Sequence, residues 1–107
     1  PRLLVLDEPT ASLDLGHEMA LFELVRNLVA EGLSALVVTH HLNLAARYAD
    51  RILLLDGGRL VAGGTPAEVM QPELLSRVFR WPVTIVFNQD APQIVPLRPD
   101  PPRHRYS

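Results

Sequence analysis

The sequence predicts an α/β fold with a mostly parallel sheet, flanking helices, a β-hairpin and a small terminal β element. Two short apolar runs, residues 3–6 and 35–39, have the continuous hydrophobicity of strands buried on both faces. An amphipathic segment separates them, and the order strand, helix, strand favours parallel pairing. An Asp-Gly-Gly turn between two later apolar runs predicts the hairpin.

The first predicted helix follows the first strand. From about His17 to Glu31 the apolar residues recur at helical spacing, and Gly32 supplies a C-terminal stop. The second strand is followed by a shorter predicted helix over residues 42–49. Strands and helices therefore alternate through the first half of the chain.

The second half begins with the hairpin, whose strands are predicted at residues 52–55 and 59–62 and are expected to join a mixed sheet. The segment 65–68, Thr-Pro-Ala-Glu, combines an N-cap, a proline at the first helical position and an acid three residues after the cap. It predicts a helix that ends at Met70. Another helix is predicted to begin near Pro72.

The last predicted structure is a pair of strands at residues 83–87 and 93–97. Residues 98–107 are rich in proline and arginine, and we expect them to form a disordered tail. The predicted domain therefore covers residues 1–97.

Composition excludes several classes of function. The 107 residues contain no cysteine, which excludes disulfides and thiolate catalysis. No apolar run approaches the roughly 20 residues that span a bilayer. The formal charge is −2 and there is no basic cluster before the tail, so the sequence does not predict a basic surface that would bind a nucleic-acid backbone. Because the chain opens inside an apolar run, we expect residue 1 to be a truncated beginning.

Two adjacent acids, Asp7 and Glu8, end the first predicted strand. Open α/β sheets bind ligands at the carboxyl ends of their strands, and successive strand residues point in different directions. One acid can therefore hold a cation while the other faces a water. The pattern by itself is equally compatible with acids that cap the next helix or face solvent.

Two further segments lie near the same predicted edge. Ser12 and Asp14 stand in a polar turn before the first helix, where simple N-capping is the more common role. His40 ends the second strand run, which places it well for contact with a terminal phosphate, although a lone histidine is more often structural.

Together these segments resemble motifs of ABC transporter ATP-binding subunits. Residues 3–10, LLVLDEPT, resemble the Walker B strand and the adjoining catalytic glutamate. Residues 11–14, ASLD, resemble the D-loop, and residues 37–40, VVTH, resemble the strand that leads to the switch histidine. The resemblance extends to about residue 97. It implies the C-terminal part of a P-loop NTPase domain, from the Walker B motif onward.

The resemblance also implies roles for the site residues. Asp7 would help to hold Mg²⁺ through water, Glu8 would polarise the attacking water, and His40 would contact the γ-phosphate of ATP. Ser12 and Asp14 would reach a nucleotide across a dimer of ATPase subunits. The chain departs from the family at His41, where relatives usually place an acid, and this leaves open which histidine is the switch. Position after the strand favours His40.

Residues 41–50, with the later GTPAEV and PELL segments, resemble ATPases that import iron-siderophores, haem or cobalamin. The implied partners are a second ATPase subunit, transmembrane permease subunits and, indirectly, a substrate-binding protein, with the ATPase on the cytoplasmic face of the cell membrane. The family's G-x-x-x-x-G-K-[ST] loop, glutamine loop and LSGGQ-type signature do not occur in these 107 residues. Two alternatives remain open at this point: an inert partner-binding fragment and a non-transport ABC ATPase.

Overall fold

The computed structural model describes residues 2–98 and has the predicted α/β class. The chain divides between Leu42 and Asn43 into two compact units. Apart from Arg98, the predicted tail lies outside the described residues. Within residues 2–98, every helix is too short or too polar to cross a membrane.

The first unit contains a parallel strand pair and one long helix. Strand β1 (Leu3–Asp7) pairs with β2 (Ser34–Val38), and helix α1 (Leu15–Ala30) connects them. The predicted parallel pairing is confirmed. Because the register places Asp7 beside Val38, the carboxyl ends of both strands lie at the same edge of the sheet.

Helix α1 begins two residues before the predicted start because Asp14 serves as its N-cap. At its other end, Gly32 has a φ of +107°, a backbone conformation that side chains with a Cβ rarely adopt. The predicted glycine stop is therefore in place. Phe22 and Val25 are the buried apolar residues of α1, and α1 contacts β2.

The prediction that both strands are buried on both faces is wrong for the described chain. Alternate residues of β1 and β2 are exposed, and Val5 and Leu36 retain 56% and 49% of their accessible surface. The other residues of each strand are only partly exposed. A strand has two faces, and within the first unit α1 is the helix that contacts this strand pair.

The described part of the second unit contains three helices and two hairpins. Helix α2 (Leu42–Tyr48), which begins at the boundary, is followed by strands β3 (Ile52–Asp56) and β4 (Arg59–Gly64). Helices α3 (Pro66–Val69) and α4 (Pro72–Phe79) follow, and strands β5 (Val83–Asn88) and β6 (Ala91–Pro96) end the described fold.

The predicted mixed sheet is not formed among residues 2–98. In this range β3 pairs only with β4 and β5 only with β6, each antiparallel, so the described residues form three separate two-stranded sheets. A mixed sheet requires hydrogen bonds between a hairpin strand and a parallel strand, and a turn signal does not specify the outer neighbour of a hairpin. The predicted hairpin and terminal strand pair are both present.

Short hairpins need packed side chains because two strands alone are marginally stable. In the second unit Leu75 of α4 and Val69 of α3 are fully buried. Helix α3 contacts both β3 and β4, while α4 contacts β5. Asn43 of α2 bonds to both backbone groups of Ile94, accepting from its N–H at 2.7 Å and donating to its carbonyl at 3.2 Å. These contacts hold the helices of the second unit against its hairpins.

Candidate functional site at the carboxyl ends of the parallel strands

The two adjacent acids at the end of β1 differ in backbone conformation and in exposure. Asp7 is the last residue of the strand and is exposed. Glu8 follows with a φ of +49°, an uncommon conformation for a residue with a Cβ. Its N–H still donates to the Val38 carbonyl at 2.7 Å, which extends the ladder by one residue. Such backbone outliers concentrate at functional sites, since the surrounding structure must hold them in place.

The structure brings Glu8 and His40 together. The Nε2 atom of His40 lies 3.3 Å from Oε1 of Glu8. The Glu8 side chain is 30% exposed, whereas that of His40 is 95% exposed. A partly shielded carboxylate beside an accessible imidazole can accept a proton from water while the imidazole donates to an anion. Two residues that the sequence places at separate strand ends therefore form one constellation.

Asp14 is the N-cap of α1. Its Oδ1 accepts a hydrogen bond from the His17 backbone N–H at 3.0 Å and lies 2.8 Å from His17 Nδ1. The hydrogen bond from the His17 backbone, followed by the contact with the ring, holds the pKa of the Asp14 carboxyl below its ordinary value. The structure thus assigns Asp14 the capping role that its position in the turn suggested. Its reach across a dimer stays a prediction.

Ser12 and Thr10 differ in burial although they lie in the same turn. Ser12 is exposed, and its nucleotide-binding role stays a prediction. Thr10 is only 2% exposed, and its hydroxyl has no hydrogen-bond partner among residues 2–98. The carbonyl of Thr10 accepts from the Leu13 N–H at 3.0 Å, so the turn is closed by backbone bonds. Sequence analysis missed Thr10 because a hydroxyl after a proline carries no burial signal.

His41 contacts helix α1. Its Nε2 lies 3.4 Å from Oε2 of Glu18, whose side chain is only 11% exposed. Its backbone N–H donates to the Thr39 hydroxyl at 3.0 Å. Of the two adjacent histidines, His40 is therefore the one that lies beside Glu8. An acid at position 41 would instead meet the carboxylate of Glu18. Sequence analysis did not identify Glu18, since nothing in the spacing relates positions 18 and 41.

Asp7 is suited to a magnesium ion that keeps most of its own water. Mg²⁺ is commonly bound by one or two carboxylates together with waters and substrate phosphates. Residues 2–98 contain no group of three or more histidines and acids that could enclose a metal. The Asp7 carboxylate is exposed at the strand end, and its contact with Mg²⁺ through water stays a prediction.

Comparison with known proteins gives consistent relatives. No family model matches the chain. The hemin import ATP-binding protein HmuV of Rhodopseudomonas palustris strain BisB5 is 52% identical over 79 residues, which cover 74% of this chain and 30% of the relative. The HmuV protein of Rhodococcus jostii is 49% identical over 83 residues, covering 78% and 28%. That of Burkholderia thailandensis is 46% identical over 99 residues, covering 90% and 36%.

The fold has a solved relative as well. An inward-facing conformation of a metal-chelate type ABC transporter matches with a TM-score of 0.75 and 25% identity, covering 91% of this chain and 40% of that one. The chain thus spans about a third of the length of the relatives it matches. The chain is homologous to the C-terminal part of ABC transporter ATP-binding subunits, and the sequence relatives named above are hemin import ATP-binding proteins.

Proposed function

We propose that the protein containing this chain is the ATP-hydrolysing, energy-coupling subunit of an ABC importer for haem. The observation that carries the proposal is the pairing of Glu8 with His40 at 3.3 Å, at the common end of two parallel strands. The names of the relatives, which are hemin import ATP-binding proteins, support the cargo. The alternatives of an inert binding fragment and a non-transport ATPase have no comparable support.

In this proposal Glu8 is the group that orients and polarises the attacking water. Its carboxylate is partly shielded and held by a fixed backbone turn, so it can accept a hydrogen bond from water in one direction. Phosphoryl transfer requires a positioned nucleophile and neutralised charge more than covalent chemistry. Glu8 would supply the first of these requirements.

His40 would supply part of the second requirement. Its exposed imidazole would donate to an oxygen of the γ-phosphate, where negative charge must be stabilised as the bond to the leaving group breaks. The contact with Glu8 would keep the ring near the water that Glu8 orients. A histidine at this point therefore links the nucleophile to the phosphate.

Asp7 would hold Mg²⁺ through water. When bound, the ion would neutralise charge on the β- and γ-phosphates. Asp7 is exposed at the strand end, so its carboxylate can accept from a coordinated water without a change in the strand. Ser12 and Asp14 would contribute to a nucleotide held between two ATPase subunits, with the Asp14 backbone fixed by its cap on α1.

The proposed partners follow from the same assignment. Two copies of the ATPase subunit would act on transmembrane permease subunits at the cytoplasmic face of the cell membrane. A substrate-binding protein would deliver the cargo to the permease and would not touch the ATPase. In this arrangement the residues described here would handle ATP, and cargo selection would lie in other subunits.

Replacement of Glu8 by glutamine in the full-length protein tests the proposal. We expect Glu8→Gln to reduce steady-state hydrolysis to less than a tenth, a barrier increase of more than about 1.4 kcal/mol, while ATP binding is preserved. The amide keeps the shape of the side chain but cannot accept a proton. Hydrolysis and nucleotide binding are measured separately, by phosphate release and by calorimetry.

Glu31→Gln is the matched control. Glu31 is exposed and caps the opposite end of α1, a helix of 16 residues that is about 24 Å long. The same change of carboxylate to amide at Glu31 should leave hydrolysis within about twofold of the unmodified protein, a difference of less than about 0.5 kcal/mol in barrier. Retention of more than a tenth of the activity in Glu8→Gln would refute the role assigned to Glu8.

A further inference from the structure

Within the first unit, the loop that carries His40 has a second side-chain contact, separate from the one with Glu8. Glu18, in the first turn of α1, places its Oε2 3.4 Å from Nε2 of His41. The side chains of Glu18 and His41 are 11% and 47% exposed, whereas those of Glu8 and His40 are 30% and 95% exposed. The better shielded of the two acid–histidine contacts is therefore the one that includes no proposed catalytic group.

The burial of Glu18 makes this contact selective. A carboxylate that is largely removed from water requires a hydrogen-bond donor or a positive charge, since an unpaired buried charge is costly. The N-terminal turn of a helix also favours a negative charge. Position 41 must consequently present a donor toward α1, and an imidazole can do so in its neutral or its protonated form.

The geometry of the loop transmits the position of His41 to His40. The His41 N–H donates to the Thr39 hydroxyl at 3.0 Å, and the Leu42 N–H donates to the His40 carbonyl at 3.0 Å. Consecutive Cα atoms are 3.8 Å apart, so a displacement of residue 41 moves the backbone of residue 40. Packing contributes little to the orientation of the exposed His40 ring.

We propose that Glu18 and His41 form a positioning pair that anchors the loop after β2 to α1 and thereby keeps His40 beside Glu8. The inference rests on the proposed function of Glu8 and His40, and it assigns no contact with ATP to either member of the pair. The expected signature is a change in turnover without a change in nucleotide affinity, because the pair acts on the arrangement of the hydrolytic groups.

Two single variants and their double variant, made in the full-length protein, test the pair. His41→Asp sets two carboxylates against each other and should lower kcat about tenfold, with the KM for ATP within about twofold. Glu18→Gln, whose amide can still meet the imidazole, should keep kcat within about threefold. The double variant Glu18→Gln/His41→Asp restores a donor opposite an acceptor and should return kcat to within about threefold of the unmodified protein.

The melting temperature of each variant separates positioning from a general loss of stability. The proposal requires that His41→Asp remains folded at the assay temperature and that the double variant recovers kcat. Unchanged kcat in His41→Asp, or a double variant that recovers Tm but not kcat, would overturn it. If His41→Asp does not fold, His41→Ala removes the donor without adding a charge. The proposal then requires kcat to fall a few fold with the KM for ATP within about twofold, and an unchanged kcat in His41→Ala would overturn it.

The two proposals fail in different ways. The proposed function would be refuted if the unmodified protein did not hydrolyse ATP, or if its hydrolysis did not depend on Glu8. If hydrolysis is normal and depends on Glu8, but kcat does not change with substitutions at positions 18 and 41, only the positioning pair would be refuted.

Discussion

Replacement of His40 by alanine should damage catalysis far more than stability. The contact between His40 and Glu8 is 3.3 Å long, but the histidine is 95% exposed. Exposed ion pairs contribute about 0–1 kcal/mol to folding, so His40→Ala should shift Tm by a few degrees at most. Loss of a donor to the charge that develops on the phosphate costs far more, about 2.7 kcal/mol or a hundredfold in kcat.

The assay compares His40→Ala with His41→Ala in the full-length protein, using steady-state phosphate release and thermal unfolding. His41→Ala removes a supporting contact without adding repulsion, and we expect kcat to fall only a few fold, by less than about 1.4 kcal/mol in barrier. A loss below tenfold in His40→Ala would refute the catalytic role of that residue. A larger loss in His41→Ala would show that the functions of the two histidines are reversed.

Three further predictions concern the caps and the isolated chain. Thr65 and Glu68 form a reciprocal capping box on α3, so Thr65→Ala should cost about 1 kcal/mol in urea unfolding of the full-length protein, whereas Thr65→Ser should cost less. Hydrogen bonds from Thr65 hold the pKa of the Glu68 carboxyl below its ordinary value, so its stabilising contribution is present above the unfolded pKa and is lost as pH falls through the folded pKa. The stability difference between the unmodified protein and Glu68→Gln should therefore shrink on acidification from pH 7 to about pH 4, and a constant difference would contradict this assignment. The 107-residue chain by itself should not bind Mg-ATP in the micromolar range in calorimetry, because its acids repel phosphates and it contains no glycine-rich phosphate loop; micromolar binding would contradict this account.

Much of the local structure could be predicted from short sequence patterns. The Thr65 cap, the proline after it and Glu68 specify the start of α3 because all the interacting atoms lie within four residues. Gly32 likewise ends α1 through its own backbone freedom. Whether the hairpin joins another strand was harder to predict. The turn after β3 fixes β4 as its partner but specifies no further strand.

The sequence predicted at which edge of the sheet the candidate site lies. Parallel pairing of β1 with β2 follows from the order of apolar runs and the intervening helix, and it brings Glu8 and His40 to the same end. The capping role of Asp14 was also visible as one of two alternatives, because an N-cap acts on the turn that follows it. These features depend on neighbours in sequence or on a single strand pairing.

The sequence by itself determined which residues lie at the strand ends, because apolar runs, helix spacing and turn residues act locally. The tertiary structure decided which of those residues touch. In the tertiary structure the Glu8 carboxylate, which follows a turn with positive φ, contacts His40. The Glu18 carboxylate of α1 contacts His41. Both contacts join residues that are more than twenty positions apart. Their formation depends on how a helix packs on a strand pair, and no local pattern specifies that packing.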